Sequence, residues 1–375
     1  MLNKSVKMIY LERFRFPTYD DEFNLLTDTV YDSPSVYPFG VLCERGLHSL
    51  DFTEITILYG GNGSGKSTAI NIISNALDLP RGSAYNRGYE EMLNYYLGLC
   101  SYRAGVIEDG MRLRDKATLI SSDDIFKYMQ DTRNRNEFVK KNTHKAMLEW
   151  EGLRRDKVSY VNFETGDGVE RLNRIREARR VTRSQYVANK IGIVKDTYSN
   201  GETGFMRFID SIVPDRLYIL DEPENSLSCE LQIELAKYIE LSARYYGCQF
   251  IIATHSPFLM AISGAKLYNL DGKPATISKF WELPNMQLYY NLFKKYDREF
   301  EAQCQVMSDE QSESADWETE TSTSQNGNSK SIDDYLKEGY MTLEDMTQAL
   351  GQTFAKLQKD EVMNKLRHNN TLDYE

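Results

Sequence analysis

The sequence predicts an α/β fold built on a mostly parallel sheet, and three observations carry that expectation. Apolar runs short enough to be buried strands alternate with helical stretches through the second half of the chain: strand 216–221, helix 228–245, strand 249–254 and strand 266–270. A glycine-rich turn, Gly60-Gly61-Asn62-Gly63-Ser64-Gly65-Lys66-Ser67-Thr68, links the apolar run 55–59 to a helical run from Lys66 to about Leu77. Hydrophobic residues make up 41% of 375, enough for a sizeable core, and no run approaches the roughly eighteen apolar residues of a membrane span.

From the N-terminus, 8–14 and 50–59 read as strands that open the sheet, the second feeding the glycine turn. Leu79-Pro80-Arg81-Gly82-Ser83 breaks the helix after the turn. Residues 85–195 read as helical and loop-rich, with short strands at 117–120 and 158–163 and no sustained heptads, which argues against a long coiled-coil arm. Helices are expected at 204–213 and 286–302. The resulting organisation is a head over 1–305 containing a helical insertion lobe at 85–200, an acidic linker at 306–332, and a short helical tail at 333–375 with Leu343, Met346, Leu350, Phe354 and Leu357 on an apolar stripe.

Cys43, Cys100, Cys229, Cys248 and Cys304 are odd in number, scattered and without a C-x-x-C pair. They read as reduced thiols of a cytoplasmic protein, and the first residues lack the apolar core of a signal peptide. Net charge is −11 but uneven: residues 131–195 hold 16 Lys/Arg against 9 Asp/Glu, whereas 308–325 holds six acids and no base. Arg171, Arg174, Arg176, Arg179, Arg180 and Arg183 fall at near-helical spacing within the basic stretch. Such a face suits a phosphate backbone or an acidic protein segment, and a solvated helix face accounts for it equally well.

Residues 60–67 satisfy G-x-x-x-x-G-K-[ST] between a strand and a helix. Glycines let successive N–H groups turn inward around phosphates, Lys66 reaches the β- and γ-phosphates, and the Ser67 hydroxyl suits Mg²⁺, so the motif points to a bound nucleoside triphosphate. The strand Leu217-Tyr218-Ile219-Leu220 ends in Asp221-Glu222. Beside a phosphate loop, Asp221 can complete the Mg²⁺ shell and Glu222 can orient and deprotonate a water. One strand later His255, in Thr254-His255-Ser256, sits at the ligand-bearing strand end and suits a γ-phosphate contact. Ser199-Asn200-Gly201 precedes the helix expected at 204–213, where a hydroxyl and N-terminal amides can receive an anion.

That motif order resembles the ATP-binding-cassette (ABC) ATPases over roughly residues 8–302, in the non-transporter branch with SMC proteins, RecF and stand-alone bacterial ATPases. The resemblance implies ATP and Mg²⁺ as cofactors. It makes Asp221 the Mg²⁺-linked carboxylate, Glu222 the catalytic base and His255 the switch histidine. It further implies a homodimer in which Ser199 and Gly201 of one copy cap ATP on the other, with Ser226-Leu227-Ser228 crossing the interface. Two departures stand out. Tyr198, Asn200 and Glu202 replace the usual Leu, Gly and Gln of the signature, and the loop glutamine has no counterpart, leaving Asp123 or a nearby hydroxyl to serve. By resemblance, the partner is an effector such as a nuclease or retron component in anti-phage defence. The alternative is a RecF-like ATPase acting directly on nucleic acid through 131–195. No membrane partner is expected.

Overall fold

The computed structural model describes residues 8–28, 34–81, 89–105, 107, 110–156, 166–193, 200–225 and 227–302. The chain runs β1 (Leu11–Arg15), α1 (Tyr19–Asp28), β2 (Ser49–Asp51), β3 (Ile55–Tyr59), α2 (Lys66–Ala76), α3 (Glu90–Leu99), β4 (Ser101–Ala104) and β5 (Ala117–Ser121). The lobe follows as α4 (Ser122–Arg155), α5 (Gly166–Arg180), α6 (Arg183–Ile191) and α7 (Asn200–Ser211). The chain then returns through β6 (Leu217–Asp221), α8 (Cys229–Tyr245), β7 (Gln249–Ala253), α9 (Pro257–Met260), β8 (Lys266–Asn269), β9 (Thr276–Ile277) and α10 (Pro284–Lys295). Among the described residues no helix is long and apolar enough to cross a membrane.

The main sheet has the order β5-β6-β7-β3-β8-β9, in which β9 alone is antiparallel. This is the α/β, mostly parallel architecture expected. Side chains alternate across it with the two-residue period of a strand. From β6 and β7, Tyr218, Leu220, Phe250 and Ile252 face a core shared with Phe205, Phe208, Leu235 and Ile239 of α7 and α8. Leu217, Ile219, Ile251 and Ala253 face the other core, shared with Ile70 and Ile73 of α2 and with Phe14 of β1. Because both faces are covered, the parallel strands read as continuous apolar runs.

The expectation that 8–14 and 50–59 open one sheet is corrected. The second run is two strands, parted where Thr53 folds onto its neighbours: its N–H donates to Thr56 Oγ1 (3.0 Å) and its hydroxyl to the Ile55 carbonyl (2.8 Å). β2 pairs with β1 in a separate antiparallel sheet of order β2-β1-β4, while β3 enters the parallel one. Buried side chains join the two sheets: the Tyr268 hydroxyl of β8 meets the Asp51 backbone of β2, and Gln249 bridges to β1. Gln249, at the start of β7, accepts from the N–H groups of Tyr10 (2.8 Å) and Leu11 (2.9 Å) and donates to the carbonyls of Leu11 (2.9 Å) and Thr53 (3.1 Å).

Within the insertion one helix of 34 residues dominates. α4 starts at a reciprocal cap: the Asp124 N–H donates to Ser121 Oγ (3.2 Å), and Ser121 Oγ donates to Asp124 Oδ2 (2.7 Å). α5, α6 and α7 pack along it. The helix expected at 286–302 begins two residues earlier, at Pro284, and is interrupted at Tyr296 before helical backbone resumes over 297–302. The strand read at 158–163, the linker 306–332 and the tail 333–375 lie outside the described residues.

Candidate functional site

The glycine loop leaves β3 and closes at Gly65, which caps α2 with φ +96°. A side chain at Gly65 would be strained there and would meet Leu42 Cδ2 at 2.9 Å. At Gly60 an added Cβ would lie 2.4 Å from Ser64 Oγ, so the loop closes on itself only with glycine. Lys66 is buried, and its ammonium donates to the carbonyls of Gly60 (2.8 Å) and Gly61 (3.2 Å). Burial pulls its pKa down, while the negative field of Glu222, Asp271, Asp221 and Glu224 pushes back. Other elements brace the loop and the start of α2. The Tyr37 hydroxyl donates to Thr68 Oγ1 (3.2 Å), Arg45 Nη2 donates to the Gly63 carbonyl (3.1 Å), and Gly61 N–H donates to both carboxylate oxygens of Asp271 (2.8 and 3.0 Å).

Parallel pairing of β6 with β7, and of β7 with β3, brings Asp221, His255 and the loop to one sheet edge. Ser67 Oγ donates to Asp221 Oδ1 (3.1 Å), and Arg81 Nη2 lies 3.4 Å from Asp221 Oδ2. Burial raises the Asp221 pKa, opposed by Arg81 and by the Ser67 hydrogen bond. A hydroxyl and a buried carboxylate in contact are hard oxygen donors of the kind Mg²⁺ prefers, so the residues present fit that ion.

Glu222 turns the chain at φ +49°, with its N–H held by the Ala253 carbonyl (2.8 Å). Its Oε1 lies 3.6 Å from His255 Nε2, and its Oε2 accepts from Asn225 Nδ2 at 3.0 Å. Asn225 Nδ2 also lies 3.3 Å from Ser122 Oγ. Of the two candidates raised for the missing glutamine, this hydroxyl therefore connects to the carboxylate strand, whereas Asp123 is exposed in the first turn of α4.

Ser199 and Ser226 lie outside the described residues, while Asn200 and Gly201 open α7, four residues before the expected helix start. The structure also adds residues that sequence reasoning passed over. In the sequence Arg81 belongs only to a helix-breaking stretch. Asp271 carried no motif, although it follows the β8 strand at the same sheet edge. Glu224 and Asn225 lay in plain sight three and four residues beyond Asp221. On the lobe, Arg171 pairs with Asp156 (2.7 Å), Arg174 with Glu170 (3.3 Å) and Arg183 with Glu151 (3.7 Å), so part of its positive charge is neutralised internally. Arg176, Arg179 and Arg180 are exposed.

Two family models match the residues that form this arrangement. The "ABC transporter" family model matches residues 48–225, and the model described as "AAA domain, putative AbiEii toxin, Type IV TA system" matches residues 196–261. Similar solved structures include the Smc head domain with an extended coiled coil bound to the C-terminal domain of ScpA, derived from Pyrococcus furiosus. It is 11% identical with a TM-score of 0.34, and the match covers 76% of this chain and 100% of that one. A second, the SmcHead bound to the C-winged helix domain of ScpA, is 15% identical with a TM-score of 0.30, covering 62% of this chain and 92% of that one. No curated protein matches the chain. With a family model running from β2 through the phosphate loop to the Asp-Glu strand, and a second continuing through the histidine strand, this chain carries an ABC-type ATPase domain.

Proposed function

We propose that the protein is an ATP-hydrolysing switch of the SMC/RecF-like branch, in which two copies close around two ATP molecules and the closed state acts on a partner effector. The observation that carries this reading is the convergence of Lys66, Ser67, Asp221, Glu222 and His255 around one loop at one sheet edge. Loop amides from Gly60 to Thr68 and the Lys66 ammonium hold the triphosphate; Ser67 and Asp221 hold Mg²⁺. Bound there, Mg²⁺ would supply positive charge against that of the phosphates. Glu222 takes the proton of the attacking water, with Asn225 and Ser122 in the place of the family glutamine, and His255 orients the γ-phosphate. Ser199 and Gly201 of a second copy complete the site, across an interface that includes Ser226-Leu227-Ser228.

In this reading the head spans 1–305, and 306–332 and 333–375 are a linker and tail of a cytoplasmic protein. The effector is a nuclease or retron component in bacterial anti-phage defence, a setting supported by the toxin–antitoxin description of the second family model. Direct action on nucleic acid is the second reading, favoured by the exposed Arg176, Arg179 and Arg180.

Glu222→Gln tests the core of the proposal. It keeps shape and removes the basic oxygen, so ATP binds while turnover falls by about two to four orders of magnitude and a dimer accumulates with ATP and Mg²⁺. Wild-type turnover in this variant, measured as phosphate release, refutes the assignment.

A further inference from the structure

Glu224 is an acid of this site that the motif order leaves without a task. It is only 8% exposed, yet one of its oxygens, Oε1, accepts from three donors at the end of the neighbouring strand. These are the Thr254 hydroxyl (2.7 Å), the His255 N–H (2.6 Å) and the Ser256 N–H (3.1 Å). Its other oxygen is buried without a hydrogen-bond partner among the described residues. Burying a carboxylate is costly, and three charge-assisted bonds onto one oxygen offset that cost while pinning three consecutive residues. A second tether runs in parallel: Ser256 Oγ donates to Gln232 Oε1 (2.8 Å), and Gln232 Nε2 donates to the Leu227 carbonyl (3.0 Å). Between these anchors the His255 N–H is itself held, and the ring stands with Nε2 3.6 Å from Glu222 Oε1.

We infer that Glu224 is a positioning residue for ATP hydrolysis: it locks the 254–256 loop so that the His255 ring faces Glu222. The inference rests on the ATPase reading above. A competing account gives Glu224 a role through charge alone, as one of the acids whose field supports a protonated Lys66. Geometry and charge separate in two substitutions. Glu224→Gln keeps the length and the accepting oxygen but loses the charge, whereas Glu224→Asp keeps the charge and draws the oxygen back by one methylene.

The test uses the full-length protein with three variants, Gln, Asp and Ala at position 224, and three readouts. These are the ring resonance of His255, identified among four histidines by its loss in His255→Ala, the turnover number for ATP, and ATP affinity by calorimetry. Glu224→Gln is expected to keep the resonance in place and turnover within about threefold of wild type. Asp and Ala are expected to move the resonance and lower turnover about tenfold or more, with affinity unchanged within about twofold, which is the scale of a displaced catalytic partner. Should the Ala variant not fold, the Gln and Asp pair carries the comparison. Turnover higher in Asp than in Gln overturns the inference in favour of charge. An unmoved resonance in Asp and Ala overturns it outright, as does an affinity loss that tracks the turnover loss. If the wild type itself turns over no ATP, the ATPase reading falls, and the resonances still decide whether Glu224 sets the ring.

Discussion

Gln249→Leu removes one joint between the two sheets and leaves the Tyr268–Asp51 contact in place. The side chain is fully buried and uses its whole hydrogen-bonding capacity: two acceptances from β1 and its approach, and two donations, to β1 and to the break before β3. Leucine fills similar space and offers none of the four. At about 1 kcal/mol net per bond the loss is about 4 kcal/mol, and the gain from burying a more apolar side chain returns about 1 kcal/mol, leaving a deficit of about 3 kcal/mol. For a domain of this size that corresponds to a fall in Tm of about 6–9 °C, measurable by scanning fluorimetry. The deficit should be local in origin. Amides of β1, β2 and β4 should exchange with deuterium faster in the variant, while those of β6 keep their protection, because β6 pairs with β5 and β7 without help from the Gln249 side chain. Glu at the same position should be worse than Leu, since a buried carboxylate would face the Leu11 and Thr53 carbonyls. A Leu variant that melts within about 2 °C of wild type, with unchanged exchange in β1, refutes the reasoning.

Three further outcomes are expected. Asp271→Asn retains an acceptor for the Gly61 N–H while removing a negative charge beside the loop, so ATP should bind about threefold more tightly at low salt, with the gain fading as salt rises; weaker binding in calorimetry would show that the carboxylate itself shapes the loop. Burial holds the thiols of Cys43, Cys100 and Cys248 up to about 12, so they stay almost wholly protonated and their labelling should remain slow throughout pH 7 to 9. In a Cys304→Ser background a maleimide should therefore modify one thiol quickly, and Cys229→Ala should abolish that phase; a second fast thiol contradicts the burial. Replacing Arg176, Arg179 and Arg180 by Glu should flatten any salt dependence of duplex binding in filter assays while leaving ATP binding intact, and an unchanged slope removes the lobe as a phosphate contact.

What could be read in advance follows from the range of the interactions involved. The loop at 60–67, the carboxylates at the end of β6 and the histidine after β7 were legible because local patterns encode them: a glycine spacing, a polar residue ending an apolar run, a helix period. The apolar strands β6 and β7 were legible because both their faces are covered, so nothing polar interrupts them. The break at Thr53 was not legible, since it depends on a hydroxyl turning back onto Ile55 and on Gln249 reaching across from a strand nearly two hundred residues away. Glu224 escaped for the same reason, because its three donors lie about thirty residues on and declare themselves only once β6 and β7 are side by side. The length of α4 was hidden by its polarity, which gives few apolar positions to count.

That helix has a mechanical consequence. Its capping residue Ser121 is itself the β5 position paired with Asp221, and Ser122 lies within reach of Asn225 beside Glu222. At 1.5 Å per residue its 34 residues extend about 51 Å. A pivot of about 10° at the capped end, smaller than many hinge motions, therefore sweeps the far end by about 9 Å, roughly the spacing between packed helices. Any pivot at the base of α4 would thus be magnified at its tip, and a crosslink from the tip to a fixed point on the head would register it.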